Sequence, residues 1–465
     1  MSKKALSKSL IYLISANIIS VMVSGIILLI FPRLFSIAEF GIWQFYMLLN
    51  MYFSYAAFGL ADGVYVRYSE KQNINKIRYI GFHFWLIMMV DVLLIICLIF
   101  NTDISKIKIM VLSGISCILV APKSIIVYHL QSIGKTTETS FYIIIEKLIF
   151  VFLLFIIYTI NIHVTIFSIV YVDLLSKLVT IVCLIIKNPE KFKFRLNIKI
   201  DLLKEITENF KTGIPLVLIG TSTLFIIGIF RFVIEKKWGI ESFSKASIMI
   251  NFSSFLMIFI SSISLIFFPL LRNTELKTIS NKYNQVSKIV FFLMLLVLMV
   301  YYPIYILVQY LLPDYSDGLI FLPILLVITI LDGKIIILNT NLLKIFRKEK
   351  KVFIYNLYLI LLTIFMYLII LYFVNEIFYV FILMMIVILI KYILLEYEVQ
   401  KILGYQSILV SIFLNEFLYV TLILPLMYFT NSIINSLILF VCVICIYLSI
   451  NKDIIKNLKY FVSNR

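Results

Sequence analysis

Long apolar segments separated by short polar turns make up almost the whole chain. Each bilayer crossing needs roughly 20 mostly apolar residues, and lipid forces every backbone polar group into a helix or a closed barrel. The alternation with a period of two that marks barrel strands is absent, which favours helices. Hydropathy and turn residues predict about fourteen spans: 9–32, 41–66, 79–100, 107–132, 140–161, 164–186, 213–234, 243–270, 287–311, 319–343, 352–374, 377–400, 406–429 and 432–451. The pattern predicts an all-α polytopic membrane protein.

One stretch interrupts the apolar pattern, residues 187–212, where 11 of 26 residues are charged. Apolar residues recur there at every fourth position (Ile198, Leu202, Ile206 and Phe210), which predicts an amphipathic helix lying along the cytoplasmic membrane surface. A solvated connecting loop is the alternative. The predicted organisation is an N-terminal lobe of six spans (1–186), the basic connector (187–212), a C-terminal lobe of six spans (213–403), and two last spans with a basic tail (404–465).

An internal repeat relates the two predicted lobes. Residues 33–45 and 231–243 share the pattern Arg, six residues, aromatic-Gly-Ile, two residues, Phe, at an offset of 198. Two lysine pairs recur in the same order, at offsets of 211 and 214: Lys123 with Lys334, and Lys177 with Lys391. Because six spans are an even number, a duplicated unit of this kind gives two parallel lobes with the same orientation in the membrane.

The charge distribution predicts the orientation. Of 465 residues, 63% are hydrophobic and 14% charged, and the formal net charge is +17. In a soluble protein such a charge suggests nucleic acid, but in a membrane protein lysine and arginine collect in cytoplasmic loops. With the N-terminus in the cytoplasm, 29 basic residues fall at inner ends of spans and six at outer ends. Both termini are therefore predicted to be cytoplasmic, and no nucleic-acid partner is expected.

The residue types needed for catalysis are sparse. The three histidines have no metal-ligand neighbour at helical spacing, and the five cysteines lie in apolar segments without metal-like spacing. No glycine-rich phosphate loop appears. A membrane glycosyltransferase or polysaccharide polymerase would be expected to carry a large outer loop or clustered outer carboxylates, and the sequence has neither. We expect a protein that is not an enzyme and has no metal or other cofactor.

Charges inside the predicted spans are the most informative candidates. Five lysines lie about nine or ten residues from the cytoplasmic end of their span: Lys123, Lys147, Lys177, Lys334 and Lys391. At ~1.5 Å per residue this is ~14 Å deep, too deep for simple snorkelling. Such residues cost about 2.5–3.5 kcal/mol at the bilayer centre and normally face an interior or a watery cavity. They predict a cationic belt suited to the anionic head of an amphiphile, with Lys245 as a sixth charge nearer the outer side.

Ion pairing is the alternative for each lysine. Asp173 and Lys177 are four residues apart on one helix and can neutralise each other. Lys123 follows Pro122 and has no acid within a turn, which leaves substrate contact or an interhelical ion pair open.

Three buried acids are candidates for coupling to Na⁺ or H⁺: Asp91, Asp173 and Asp332. Asp332 and Lys334 are two residues apart and point in different directions, so each needs its own partner. Asp91 is a lone buried acid, which suits a proton relay or a Na⁺ site, or a counter-ion for one of the lysines.

Four stretches carry a resemblance to a known family. They are FPRLFSIAEFGIWQFYMLLN at the end of the first span, FGLADGVYVRYSE at the end of the second, SIGKTTETSFYIIIEKL between the fourth and fifth, and GIESFSKASIMINFSSFLMIFISSISLIFFPLL over the eighth. With fourteen spans, two six-helix lobes and a basic connector, the chain resembles the Wzx-type oligosaccharide flippases of bacterial polysaccharide biosynthesis. These belong to the multidrug/oligosaccharidyl-lipid/polysaccharide exporter superfamily.

The resemblance implies a V-shaped pair of lobes and alternating access in the bacterial inner membrane. The implied substrate is an undecaprenyl-pyrophosphate-linked oligosaccharide, and the implied partners are assembly proteins such as a polymerase. By the same resemblance spans 1, 2, 7 and 8 line the cavity, which favours Arg33, Arg231 and Lys245 as substrate contacts. We expect a monomer. A multidrug exporter of the same superfamily is the alternative, although cationic substrates favour acidic cavity residues over lysines.

Overall fold

The computed structural model is helical wherever it describes the chain. It describes residues 3–69, 77–100, 106–160, 164–192, 200–272, 274, 276–404, 416, 419, 428 and 433–451. Fifteen α-helices lie within these ranges: α1 Lys3–Leu34, α2 Ile37–Ser54, α3 Leu60–Ser69, α4 Ile77–Phe100, α5 Ile107–Ser132, α6 Thr136–Thr159, α7 Ile166–Lys187, α8 Ile200–Arg272, α9 Leu276–Val297, α10 Tyr301–Leu311, α11 Leu322–Lys334, α12 Thr340–Ile345, α13 Glu349–Phe373, α14 Ile377–Leu403 and α15 Ile433–Ile450. These ranges contain no β-strand. The predicted all-α class is confirmed.

Most of these helices are long enough to span a membrane. In the described ranges, ten helical segments are long and apolar enough to cross a bilayer. The protein is therefore a multi-pass membrane protein. The predicted thirteenth span, 406–429, lies almost wholly outside the described residues, so the number fourteen stays a prediction.

The longest helix, α8, contains two of the predicted spans. Its 73 residues would extend ~110 Å at ~1.5 Å per residue, several times the bilayer core. The break is at Gly239, where φ is 83° and ψ is 179°, a conformation open essentially only to glycine. It separates the predicted spans 213–234 and 243–270.

The predicted second span is broken as well. Residues 41–66 were expected as one helix, but α2 ends at Ser54 and α3 begins at Leu60. Between them a 3₁₀ turn, Tyr55–Ala57, leads into left-handed backbone at Phe58 (φ 46°) and Gly59 (φ 80°). A residue with a side chain rarely adopts this backbone conformation. Here the left-handed backbone changes the direction of the chain between α2 and α3.

The start of α8 packs against α3 through glycines. A Cβ atom built on Gly213 would lie 1.7 Å from the carbonyl oxygen of Gly59, and one on Gly63 would lie 2.1 Å from that of Asn209. Arg67 reinforces this contact with a 3.0 Å ion pair to Glu205. The GxxxG spacing of Gly59 and Gly63 is thus a site of close backbone approach, as it is in other membrane helix pairs.

Residues 200–212 of the connector form the first turns of α8, and Pro189–Phe192 form a 3₁₀ helix. Leu202 and Ile206 are buried, and Phe210 packs against a core that also contains residues of α3, α4 and α5. The apolar face predicted for residues 187–212 is therefore real, but protein covers it rather than a membrane surface. Ile198 lies outside the described residues.

The chain divides into two compact units, Met1–Thr221 and Ser222–Arg465. The first contains α1 to α7 and the start of α8, and the second contains the remainder. In the second unit all 13 residues of α11 are buried, as is typical of a helix that is apolar on every side. The predicted lobe boundaries at 186, 212 and 403 stay predictions.

The two copies of the sequence repeat differ in local structure. Gly239 interrupts α8, whereas Gly41, its equivalent in the repeat, lies inside α2. In the first copy the turn comes earlier, where Ser36 caps α2 and exchanges hydrogen bonds with Glu39 in a capping box. The two copies are therefore similar in sequence, but the chain turns at different positions in them.

Candidate functional site

In the first unit, Lys177 belongs to a buried neutral cluster. Its Nζ atom lies 2.5 Å from an Asp173 oxygen and 2.8 Å from the Ser116 hydroxyl. Tyr46 donates a second hydrogen bond to the same carboxylate, at 2.6 Å. One ammonium and one carboxylate cancel, so the predicted pairing of Asp173 with Lys177 is confirmed. The cluster links α2, α5 and α7.

Lys123 forms an interhelical ion pair. Its ammonium on α5 donates a short hydrogen bond to Glu146 on α6, and both side chains are largely buried. Of the two roles left open for Lys123, the interhelical pair is the one that the structure contains.

Lys147 differs from the other mid-span lysines. It lies near the middle of α6, is partly exposed, and has no ion pair within the described residues. Lys123 and Glu146 neutralise each other, so Lys147 leaves this part of α5 and α6 with one net positive charge. We call these three residues the α5–α6 charge cluster.

An apolar groove runs along α6 beyond Lys147. One part, about 290 Å³, lies between α1 and α6 and is lined by residues that include Val151, Leu154 and Tyr158. A second part, about 570 Å³, is lined by Leu148, Ile149, Val151, Phe152 and Phe155. Val151, Leu154 and Tyr158 follow Lys147 by 4, 7 and 11 residues, the spacing of one helical face. Lys147 itself lines neither part of the groove, but it shares a helical face with three α6 residues that line the smaller part.

In the second unit, Lys391 and Asp332 form another neutral pair, 3.4 Å apart. Thr223 lies between them: Lys391 is 2.5 Å from its hydroxyl oxygen, and the hydroxyl donates to Asp332 at 2.7 Å. Asp332 thus pairs with a residue of α14. This agrees with its two-residue spacing from Lys334, which points the two side chains in different directions.

Lys334 is almost completely buried among two carboxylates. It forms a short ion pair with Glu416, donates a 2.8 Å hydrogen bond to the Tyr392 hydroxyl, and lies 3.8 Å from Glu396. Neither glutamate stands out in the sequence. Their signal was indirect, because a lysine at that depth requires a carboxylate from a neighbouring helix.

The three remaining basic candidates occupy different environments. Arg33 is exposed in the last turn of α1. Arg231 is buried, with its guanidinium 5.2 Å from the centre of the Phe243 ring. Lys245 lies 2.5 Å from Asp317, whose side chain is 76% exposed.

Asp91 is buried in α4 without a lysine partner. Neither carboxylate oxygen accepts a hydrogen bond in the part of the chain that the structure describes. Its electrostatic neighbour is the thiol of Cys117 on α5, which donates to the carbonyl of Phe53 at 3.4 Å. Asp91 is therefore not the counter-ion of a described lysine.

Four of the five mid-span lysines are thus paired inside their own unit, and the expected cationic belt is largely neutralised. The described residues contain no group of three His, Cys, Asp or Glu side chains arranged to hold a metal ion.

No family model matches the chain, and no curated protein matches it. Solved structures do. The lipid II flippase MurJ, in an inward closed conformation, superposes with a TM-score of 0.63 at 16% identity, covering 96% of this chain and 99% of that one. A multidrug resistance MATE family transporter of the MOP superfamily, outward-facing, gives 0.56 at 13% identity over 86% and 96%. A MOP superfamily transporter from Pyrococcus furiosus gives 0.52 at 13% identity over 86% and 97%. The chain therefore has the all-helical fold shared by MurJ and the MOP-superfamily transporters.

Proposed function

We propose that the protein is a flippase that moves an undecaprenyl-pyrophosphate-linked oligosaccharide across the bacterial inner membrane by alternating access. The product would serve surface polysaccharide assembly, with a polymerase among the proteins that receive it. The fold shared with a lipid II flippase over nearly the whole chain supports transport of a lipid-linked substrate. The excess of basic residues at one side of the predicted spans supports cytoplasmic termini.

The arrangement of Lys147 carries this proposal. A lipid pyrophosphate is an amphiphile with an anionic head and a long apolar tail. Lys147 offers a positive charge without an ion pair among the described residues, and the α6 groove offers apolar surface on the same helical face. The head would contact the ammonium while the tail lies along α6.

The neighbouring ion pair adds to the binding mechanism. Glu146 precedes Lys147 on α6, and its charge is cancelled by Lys123. A phosphate oxygen that displaces Glu146 from Lys123 would be held by that ammonium, since lysine binds phosphate as a point charge. The unpaired Lys147 costs about 2.5–3.5 kcal/mol in the bilayer centre, and a bound anion would offset this cost.

An exporter of cations is the second candidate, and Asp91 favours it. A buried carboxylate that accepts no hydrogen bond in the described ranges suits a cationic drug or a coupling ion better than it suits a phosphate. The Pyrococcus furiosus transporter is described as having a binding pocket of reverse polarity that suggests a different function. Pocket polarity therefore varies within this fold, and the net positive charge of the α5–α6 charge cluster favours an anion here.

Binding of a short-chain polyprenyl diphosphate to the purified full-length protein tests the proposal. We predict that Lys147→Gln weakens binding about tenfold or more, because a charge-assisted hydrogen bond contributes about 1.5–3 kcal/mol. Lys147→Arg should retain most of the affinity. The matched control is Lys108→Gln, which removes a cation that lies over the Phe167 ring; neither of these two residues lines the groove.

A polyprenol without phosphate should bind weakly to the wild type and equally weakly to Lys147→Gln. Unchanged diphosphate binding by Lys147→Gln would contradict the proposed site. Tighter binding of an organic cation than of the diphosphate, lost in Asp91→Asn, would favour the exporter.

A further inference from the structure

The cluster around Lys334 is the most deeply buried group of ionisable residues in the described part of the chain. Lys334 is 1% exposed, Glu396 1%, and the Glu416 side chain 8%. Tyr392 donates a short hydrogen bond to Glu416. Lys334 donates a short hydrogen bond to Glu416 and one of 2.8 Å to the Tyr392 hydroxyl. The cluster connects Lys334 on α11 with Tyr392 and Glu396 on α14 and with Glu416.

The charges of this cluster do not balance. One ammonium faces two carboxylates, which leaves a net charge of −1 when all three groups are ionised. Within the part of the chain that the structure describes, the neighbouring Asp332–Lys391 pair is itself neutral and does not compensate. The other buried lysine clusters, at Lys123 and Lys177, contain one carboxylate each. An uncompensated charge in a buried, low-dielectric site costs several kcal/mol, so the site favours binding one more positive charge.

The two carboxylates differ in how many of their oxygen atoms accept hydrogen bonds. Glu416 accepts hydrogen bonds on both oxygens, from Lys334, Tyr392 and, at 3.4 Å, Ser287. In Glu396, Oε1 accepts from Tyr283 at 2.6 Å and from Gln400 at 2.7 Å. Its Oε2 atom is buried and makes no hydrogen bond within the described residues.

The surrounding groups favour a proton over a metal cation. Lys334, Tyr283 and Gln400 direct N–H or O–H donors at the carboxylates, whereas a sodium or calcium ion needs several oxygen acceptors. One proton held by the two carboxylates neutralises the excess charge.

We propose that the second unit holds one exchangeable proton, shared by the Glu396–Glu416 pair. Proton binding converts one carboxylate of the pair to a carboxyl, and proton loss to water leaves Lys334 to balance two negative charges. The other titratable groups facing the pair are Tyr283, Tyr392 and Tyr447. The proton would favour the packing of Glu416 against α11 and α14. This inference does not depend on the substrate proposed above.

Infrared difference spectroscopy of the wild-type protein tests the proton directly and needs no variant. A protonated carboxyl has a C=O stretch separate from that of a carboxylate. We predict such a band at neutral pH that shifts in heavy water and is lost in Glu396→Gln. The matched control is Glu398→Gln, two residues away, because Glu398 is already neutralised by Lys351 at 2.6 Å. That control should keep the band.

Thermal stability provides a second measurement. If the folded protein binds a proton that the unfolded chain releases at neutral pH, the melting temperature falls as the pH rises. Glu396→Gln mimics the protonated form and should flatten this dependence, whereas Glu398→Gln should not. No carboxyl band in the wild type, or an unchanged pH dependence in Glu396→Gln, would overturn the proposal. Stabilisation by added Na⁺ at constant pH that is lost in Glu396→Gln would overturn it in favour of a metal site.

Discussion

Four mid-span lysines are held by carboxylates, three from another part of the chain and one from the adjacent turn of the same helix. Such pairs contribute little net stability over apolar residues, but removing one member leaves an uncompensated charge. The interhelical pairs at Lys123 and Lys391 therefore constrain which helices pack together.

Asp173→Asn should be strongly destabilising. It leaves the Lys177 ammonium buried without a counter-ion, which costs about 3–5 kcal/mol. The matched control is Asp317→Asn, which breaks the exposed pair with Lys245 and should cost at most about 1 kcal/mol. Thermal unfolding in detergent measures both. Equal shifts in the two melting temperatures would be inconsistent with a buried, desolvated pair.

The depth of these lysines was readable from their position in apolar segments, but their partners mostly were not. Asp173 and Lys177 share a helix, so four-residue spacing predicted their contact. Glu146 meets Lys123 through the packing of α5 on α6, which depends on tertiary structure. Lys147 was grouped with the other lysines, and its lack of an ion pair among the described residues appears only when those partners are known.

Helix packing in the first unit depends on glycines where α3 meets α8. We predict that Gly213→Ala destabilises this unit or prevents its folding, because a Cβ atom there would lie 1.7 Å from the backbone oxygen of Gly59. Gly220→Ala is the matched control on the same helix, since its Cβ would meet no atom within 4 Å. That control should be neutral or stabilising by up to about 1 kcal/mol, given the higher helix propensity of alanine. Unfolding temperatures compare the two, and similar values would contradict the close contact.

The spacing of apolar residues predicted where helices form. It predicted less well where the helices break and whether protein or lipid covers them. The spacing of Leu202, Ile206 and Phe210 indicated an apolar face, but it contains no information on whether protein or lipid covers that face. The break at Phe58 and Gly59 was missed because apolar residues continue on both sides of it. Gly239 was placed correctly between two spans because charged residues surround it in the sequence.

For the whole molecule, hydropathy was enough to predict an all-helical membrane protein, and its fold matches known transporters at 13–16% identity. A substrate class depends on far fewer residues. In the described ranges the mid-span charges are mostly neutralised in pairs, and selectivity is therefore proposed to depend on the few that are not. These are the net positive α5–α6 charge cluster, the net negative cluster at Lys334 and the buried carboxylate of Asp91.

Transport in proteoliposomes tests the proposed function most directly. The purified protein is reconstituted into vesicles that contain a polyprenyl-diphosphate-linked oligosaccharide with a fluorescent sugar, and a membrane-impermeant quencher reports the leaflet. We predict that the wild type moves the labelled lipid between leaflets, that Lys147→Gln slows this about tenfold or more while Lys108→Gln does not, and that a lipophilic cation is not transported. Transport of the cation without movement of the lipid-linked oligosaccharide would contradict the assignment as a flippase.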